Sequence, residues 1–223
     1  MNDSDRTIDE RPARGPVRRR STYRHGDLRR ALVDAGIELA RAGGPDAIVL
    51  REATRRAGVV PNAAYRHFAN REALLQTVRA AALSMLATAM ENELAGLRRT
   101  PRADVHARAS LRAVGAAYLR FAQTETGLFR TAFAVPDAVE ADNDPAKAGS
   151  SGLNPFQLLG AALDRMTEAG VLPAERRPGA EYLAWSAVHG LALLIIDGPL
   201  RQLEPRLTRQ LEQRLLAMVE RGL

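Results

Sequence analysis

Residues 58–75 read Gly-Val-Val-Pro-Asn-Ala-Ala-Tyr-Arg-His-Phe-Ala-Asn-Arg-Glu-Ala-Leu-Leu and constrain this chain more than any other stretch. Gly58 suits the tight turn after a helix, because without a Cβ it takes positive φ at no steric cost. Pro61 suits a first helical position, whose N–H would have no partner anyway. Asn70 suits the cap of a further helix, with acidic Glu72 in its first turn. Between these signals the pattern predicts a helix from Pro61 to about Phe68. A helix barely two turns long does not stand alone, so neighbours must hold it, and Phe68 is the residue expected to face inward and lock it. Tyr65, Arg66 and His67 make the same helix too polar for a core. The combination suits a rigidly held probe for nucleic acid.

Around this segment the periodicity predicts helices throughout. Leu28, Ala31, Leu32, Ala35 and Leu39 recur at helical spacing over about Asp27–Arg41, and Gly43-Gly44-Pro45 ends that run. A second helix is expected near Arg51–Ala57, and a long fourth from Asn70 to about Leu97. Further helices are expected over Arg102–Thr124, from Asn154-Pro155 to about Ala169, over Pro178–Asp197 and over Leu203–Arg221, with a short aromatic turn at Gly127–Val135. Pro136–Gly152 is rich in Asp, Ala, Gly and Ser and reads as a mobile loop. No stretch alternates with period two. The expected fold is all-α, with an N-terminal three-helix helix-turn-helix unit joined by the long fourth helix to a C-terminal helical bundle. The expected divisions are a disordered basic arm at 1–22, a nucleic-acid-binding unit at 23–75 and a helical body at 76–223.

Charge is placed unevenly. Residues 1–80 carry 16 basic against 10 acidic residues, whereas 81–223 carry 16 of each, so the whole excess of +6 lies in the third that holds the opening motif. A basic region on a neutral body points to a polyanionic partner. An Arg-heavy surface would give the same numbers, since 31 of the 32 basic residues are Arg, and the motif is what decides between the two. Arg18, Arg19 and Arg20 either reach into a minor groove or float as a solvated tail. The chain has no cysteine, which excludes structural disulfides, thiolate zinc sites and thiol catalysis. No apolar run reaches the ~18 residues that span a bilayer, and the N-terminus lacks a secretory h-region. The expectation is a cytoplasmic protein with no membrane partner.

Leu50-Arg51-Glu52-Ala53, Ala57-Gly58-Val59, Tyr65-Arg66-His67-Phe68 and Asn70-Arg71-Glu72-Ala73-Leu74-Leu75 together resemble the TetR-type transcriptional regulators over roughly residues 25–80. Trp185-Ser186-Ala187-Val188-His189-Gly190 resembles the Trp-x-x-x-His-Gly signature of one branch of that family's ligand-binding domains. The resemblance implies a homodimer on double-stranded DNA, with 23–75 as the helix-turn-helix DNA-binding unit and 76–223 as the effector-binding and dimerisation unit through which a small molecule releases it. Carried over by position, it places Pro61, Asn62 and Ala63 near base edges, Tyr65 and His67 on phosphates, and Arg71 on the backbone; Arg51 is expected to add anchoring where Val49 and Val60 replace the family's usual hydroxyl residues. Asn62 is the best base reader by chemistry, since its amide can pair bidentately with adenine; contact with only water or phosphate is the other reading. Arg66 could meet a base, a phosphate or an acidic neighbour. The sequence departs from the family at Val49 and Val60, where hydroxyl residues usually cap the second and third helices and touch phosphate; a lost cap typically costs ~1 kcal/mol.

Tyr118, Phe121, Phe129, Phe133, Met166, Trp185 and His189 form the candidate effector pocket, though aromatic and Met residues at helical spacing are also what a plain core contains. Leu203, Leu207, Leu211, Leu215 and Val219 repeat every four residues and, with Gly190 on the preceding helix, suggest a dimer surface; packing within one subunit is the other reading. No His, Asp or Glu cluster has metal spacing, no cofactor is implied, and no catalytic group can be assembled, so an enzyme is not expected. Residues 149–152 lack the Lys and strand of a phosphate loop. A ligand-responsive repressor is therefore the leading expectation, and an effector-independent dimeric DNA-binding or architectural protein the alternative.

Overall fold

The computed structural model describes residues 25–98, 100–134 and 142–223. The arm expected at 1–22 and the beginning of the 136–152 loop lie outside these residues. Among the described residues the regular elements are all helical: α1 (His25–Gly43), α2 (Leu50–Arg56), α3 (Pro61–Tyr65), α4 (Arg71–Ala95), α5 (Ala103–Thr124), α6 (Thr126–Ala132), α7 (Pro155–Glu168), α8 (Ala180–Ile196) and α9 (Pro205–Gly222), with 3-10 turns at Pro45–Ala47, Pro145–Lys147 and Ala174–Arg176.

Local signals account for most of the boundaries. Gly58 has φ +67°, and the amides of Gly58 and Val59 reach back to the carbonyls of Arg55 and Thr54, the paired bonds that close a helix on a left-handed glycine. Asn70 caps α4 by accepting from the Ala73 amide at 2.9 Å. Asn154 caps α7 in a reciprocal box with Gln157, and Pro155 occupies the first helical position. Val49 and Val60 do stand at the N-caps of α2 and α3, with no side-chain cap bond.

α1 packs on α2, α3 and α4, and α4 continues into the body against α5, α6 and α7, while α8 and α9 pack on α5. Its 25 residues make α4 the one described helix long and apolar enough to cross a membrane by length and composition, contrary to the expectation that no segment reaches that length; half of its most apolar window is buried inside the fold. Leu74, Leu75, Val78, Leu86 and Met90 supply the buried surface. An apolar helix enclosed on several sides is a core element.

Three expectations need correction. α3 is shorter than Pro61–Phe68: beyond Tyr65 the amides of His67 and Phe68 both reach the Ala64 carbonyl at 2.9 Å, which tightens the chain and swings Phe68 inward. The later part of the expected mobile loop is well tied: Ser84 donates to the Ala148 carbonyl, and Glu91 accepts from the amides and hydroxyls of Ser150 and Ser151 at 2.5–2.8 Å. The leucine stripe of the last helix does not keep one face. Leu203 precedes α9, Leu207 is exposed, and Leu215 and Val219 pack on the core. A four-residue repeat on a helix of 3.6 residues per turn drifts by about 40° per step, so over three steps it winds from outside to inside.

The Glu91 latch gives a pH prediction. Burial opposes ionisation of Glu91, but the four donors outweigh it and hold the carboxyl at about 2, below its ordinary 4.5. A depressed folded pKa means stabilisation that is complete above the unfolded value and lost as pH falls through the folded one. Thermal melts stepped from pH 5 to pH 2 should therefore show a steeper loss in the native chain than in Glu91→Gln. Parallel curves would show that the latch does not hold the loop.

Candidate functional site

The α2–turn–α3 unit presents one polar surface. Ala64 and Phe68 face the core, and the guanidinium of Arg29 lies over the Phe68 ring at 5.4 Å. With that side anchored, Pro61, Asn62, Tyr65 and Arg66 are exposed, Ala63 and His67 are half-buried, and Tyr65 shows 59% of its surface. The basic residues around them divide in two. Glu52 takes both Arg55 and Arg56, whose hydrogen bonds hold its carboxyl at about 2. Arg51 and Arg66 have no acidic partner among the described residues and keep their charge free.

Arg71 departs from its expected part. Its Nε donates to the Ile48 carbonyl at 2.8 Å and one Nη to the Pro45 carbonyl at 2.6 Å. These carbonyls lie where the chain turns from α1 to α2, so most of the fork expected to hold phosphate clamps the helix-turn-helix unit to the start of α4. Proximity in space, not in sequence, lays the side chain on these carbonyls while it stays exposed.

The body contains a cavity of about 400 Å³ between α4, α5, α7, α8 and α9. Of the seven residues expected to line it, Tyr118, Phe133, Trp185 and His189 do. Phe121, Phe129 and Met166 do not; all three are buried in the surrounding core. Phe129 stands behind the wall, edge-on to Tyr118 at 5.3 Å and tilted against Phe133 at 5.0 Å. Helical spacing shows that a residue faces inward, but not whether it meets a void or a neighbour.

The polar groups of the wall are connected. Trp185 Nε1 donates to the Tyr118 hydroxyl at 3.1 Å, and that hydroxyl lies 2.6 Å from His189 Nδ1. Burial pushes the Tyr118 phenol up and the His189 imidazole down, so both are neutral near pH 7. Asp142 and Lys147, the chain's one lysine, also line the cavity and form an ion pair at 2.5 Å. Sequence reasoning passed over them because they sit in the stretch read as loop; a lone lysine among 31 arginines was the available signal. Arg79, Leu83 and Met90 add a stripe from α4, so the helix that starts at the Asn70 cap also forms part of the cavity wall. Among the described residues no group of His, Asp and Glu could hold a metal ion.

Comparison with known proteins agrees with this architecture. Residues 32–78 match the family described as bacterial regulatory proteins, tetR family, and residues 111–219 match the tetracyclin repressor-like C-terminal domain. A protein of unknown function from Rhodococcus sp. RHA1 is 25% identical, with a TM-score of 0.71 over 91% of this chain and 98% of that one. A TetR family transcription regulator from Marinobacter aquaeolei VT8 is 16% identical, with a TM-score of 0.59 over 86% and 93% of the two chains. The transcriptional regulator FadR from Bacillus subtilis, solved in complex with stearoyl-CoA, is 12% identical, with a TM-score of 0.59 over 87% and 98%. At such identities the last two speak for the fold alone. No curated protein matches the chain. The two family matches together span well over half of the sequence, and both fall on the elements described above: the chain belongs to the TetR family of DNA-binding transcription regulators.

Proposed function

We propose that this chain is a ligand-responsive transcriptional repressor that acts in the cytoplasm as a homodimer on double-stranded DNA. The observation that carries the proposal is the two-sided build of α3: Ala64 and Phe68 are anchored in the core while Asn62, Tyr65 and Arg66 stand outward. In this reading Pro61, Asn62 and Ala63 approach base edges in the major groove. Tyr65 and His67, together with Arg51 and Arg66, hold phosphates, which fix register without reading sequence. Arg71 contributes chiefly by keeping α4 on the reading unit.

Two recognition helices must sit about 34–36 Å apart to meet successive turns of DNA, which calls for a dimer. The outer face of α8 and α9 supports one: Leu183, Leu193, Leu194, Leu207 and Met218 are exposed there, and an added Cβ at Gly190 would meet nothing within 4 Å. An effector in the cavity would press on α4 through Leu83 and Met90 and so change the spacing of the two α3 helices. Such coupling is usually worth ~1–3 kcal/mol. The effector-independent alternative would be better served by a filled core.

Gel shifts against the upstream intergenic DNA test the placement of α3. Tyr65→Ala is expected to weaken binding on every sequence tried. Asn62→Ala is expected to relax discrimination at a single base pair by about 1–3 kcal/mol while leaving non-specific binding in place. If both variants bind like the native chain, α3 is not the reading helix.

A further inference from the structure

One hydrogen bond of the cavity wall has a direction fixed by its donor. An indole N–H can only donate, so the 3.1 Å contact makes the Tyr118 oxygen the acceptor of Trp185 Nε1. The Tyr118 hydroxyl proton then has the other neighbour to go to, His189 Nδ1 at 2.6 Å. A neutral imidazole whose Nδ1 accepts must carry its proton on Nε2. His189 Nε2 has no hydrogen-bond partner among the described residues, and no buried side-chain nitrogen or oxygen lacks one. Nε2 is therefore accessible, and His189 is one of the residues that line the cavity. Around it lie the rings of Phe133 at 5.0 Å and Trp185 at 5.8 Å, with Phe156 6.1 Å beyond Trp185. Of the cations on the wall, Lys147 and Arg112 are each paired with a carboxylate, and Arg79 donates to the Ala132 carbonyl.

We propose that the cavity takes a ring-bearing apolar molecule with a carbonyl-type acceptor, and that His189 Nε2–H is the donor that meets this acceptor, held in its tautomer by Trp185 and Tyr118. The proposal rests on reading the cavity as an effector site. It adds the chemical class of the effector and the residue that selects it. The aromatic surroundings suit an aromatic ring, and an oriented donor among those rings favours a molecule with an acceptor over a hydrocarbon of the same shape. Rejection of the hydrocarbon follows because the site's donor would lose access to water without gaining a partner.

The test compares 2-acetylnaphthalene with 2-ethylnaphthalene, which is close in shape but lacks the acceptor, by isothermal titration calorimetry on the full chain. The native protein is expected to bind the ketone about fivefold more tightly, the usual worth of one net hydrogen bond. His189→Phe keeps a ring in the wall and should bind the two compounds equally. Tyr118→Phe removes the relay that sets the tautomer and should reduce the preference. If the native chain binds both compounds equally, the donor assignment fails while the cavity reading stands. If it binds neither, the cavity reading falls, and the proposal with it. Should the variants not fold, nitrogen NMR of the four native histidines is decisive: a His189 protonated at Nδ1 overturns the proposal, and one protonated at Nε2 supports it.

Discussion

Gly127→Ala is expected to lower the melting temperature by about 6–12 °C, corresponding to ~3 kcal/mol, the upper part of the overpacking range, in a chain of this length. A Cβ at Gly127 would lie 2.1 Å from the Ala40 carbonyl oxygen and 2.6 Å from that of Arg41. Both obstacles are backbone at the end of α1, and Ala40 is fully buried, so neither can rotate away. α6 would have to retreat, straining the Arg41–Glu125 ion pair at 2.8 Å beside it and shifting Phe129, which stacks behind the cavity wall. Gly115 provides the control. Its added Cβ would meet Leu216 Cδ2, the tip of a side chain that can change rotamer, so Gly115→Ala should cost clearly less. Circular dichroism melts of the two variants decide the matter; equal and small shifts would mean that α6 can slide on α1. Because α1 belongs to the DNA-facing unit and α6 carries the aromatic cluster behind the cavity, Gly127→Ala should also blunt any effect of a cavity ligand on DNA affinity.

The Arg51→Ala, Arg66→Ala double variant is expected to lose most of its salt-sensitive DNA affinity. If each guanidinium neutralises one phosphate in each protomer of a dimer, removing them lowers the slope of log K against log salt by about 3–4, at ~0.9 per contact. These two arginines are chosen because the described structure gives them no acidic partner. Arg55→Ala should change the slope far less, since Glu52 already holds that charge. Arg71→Ala should act differently again: it removes donors to the Pro45 and Ile48 carbonyls, so its main effect is expected on the melting temperature. Fluorescence anisotropy on labelled DNA at several salt concentrations separates these outcomes. A slope unchanged in the double variant would place the DNA surface elsewhere.

The candidate site was legible in proportion to how locally its residues are governed. Tyr65, Arg66 and Phe68 lie between a positive-φ glycine and an asparagine cap, and a few neighbouring residues decide which side of the turn faces out. Arg71 sits in the same motif, yet its guanidinium ends on carbonyls 23 and 26 residues earlier in the chain, a meeting that no local pattern encodes. Tyr118 and His189 were recognisable as inward-facing, but their pairing with Trp185 depends on the rotation of α8 against α5. Asp142 and Lys147 carried no periodicity, and only the return of the 142–152 segment onto α4 brings them to the cavity.

By itself, the sequence determined that the chain is helical, where most helices begin and end, and that a short polar helix would be held outward by a buried phenylalanine. Caps, turn glycines and the apolar period act within a few residues, so they can be read one after another along the chain. Only the tertiary structure decided which inward residues surround a void, which arginines keep a free charge, and which leucines of the last helix remain outside. Those outcomes depend on the distances and rotations between helices far apart in sequence, and these follow from the packing of whole side-chain surfaces.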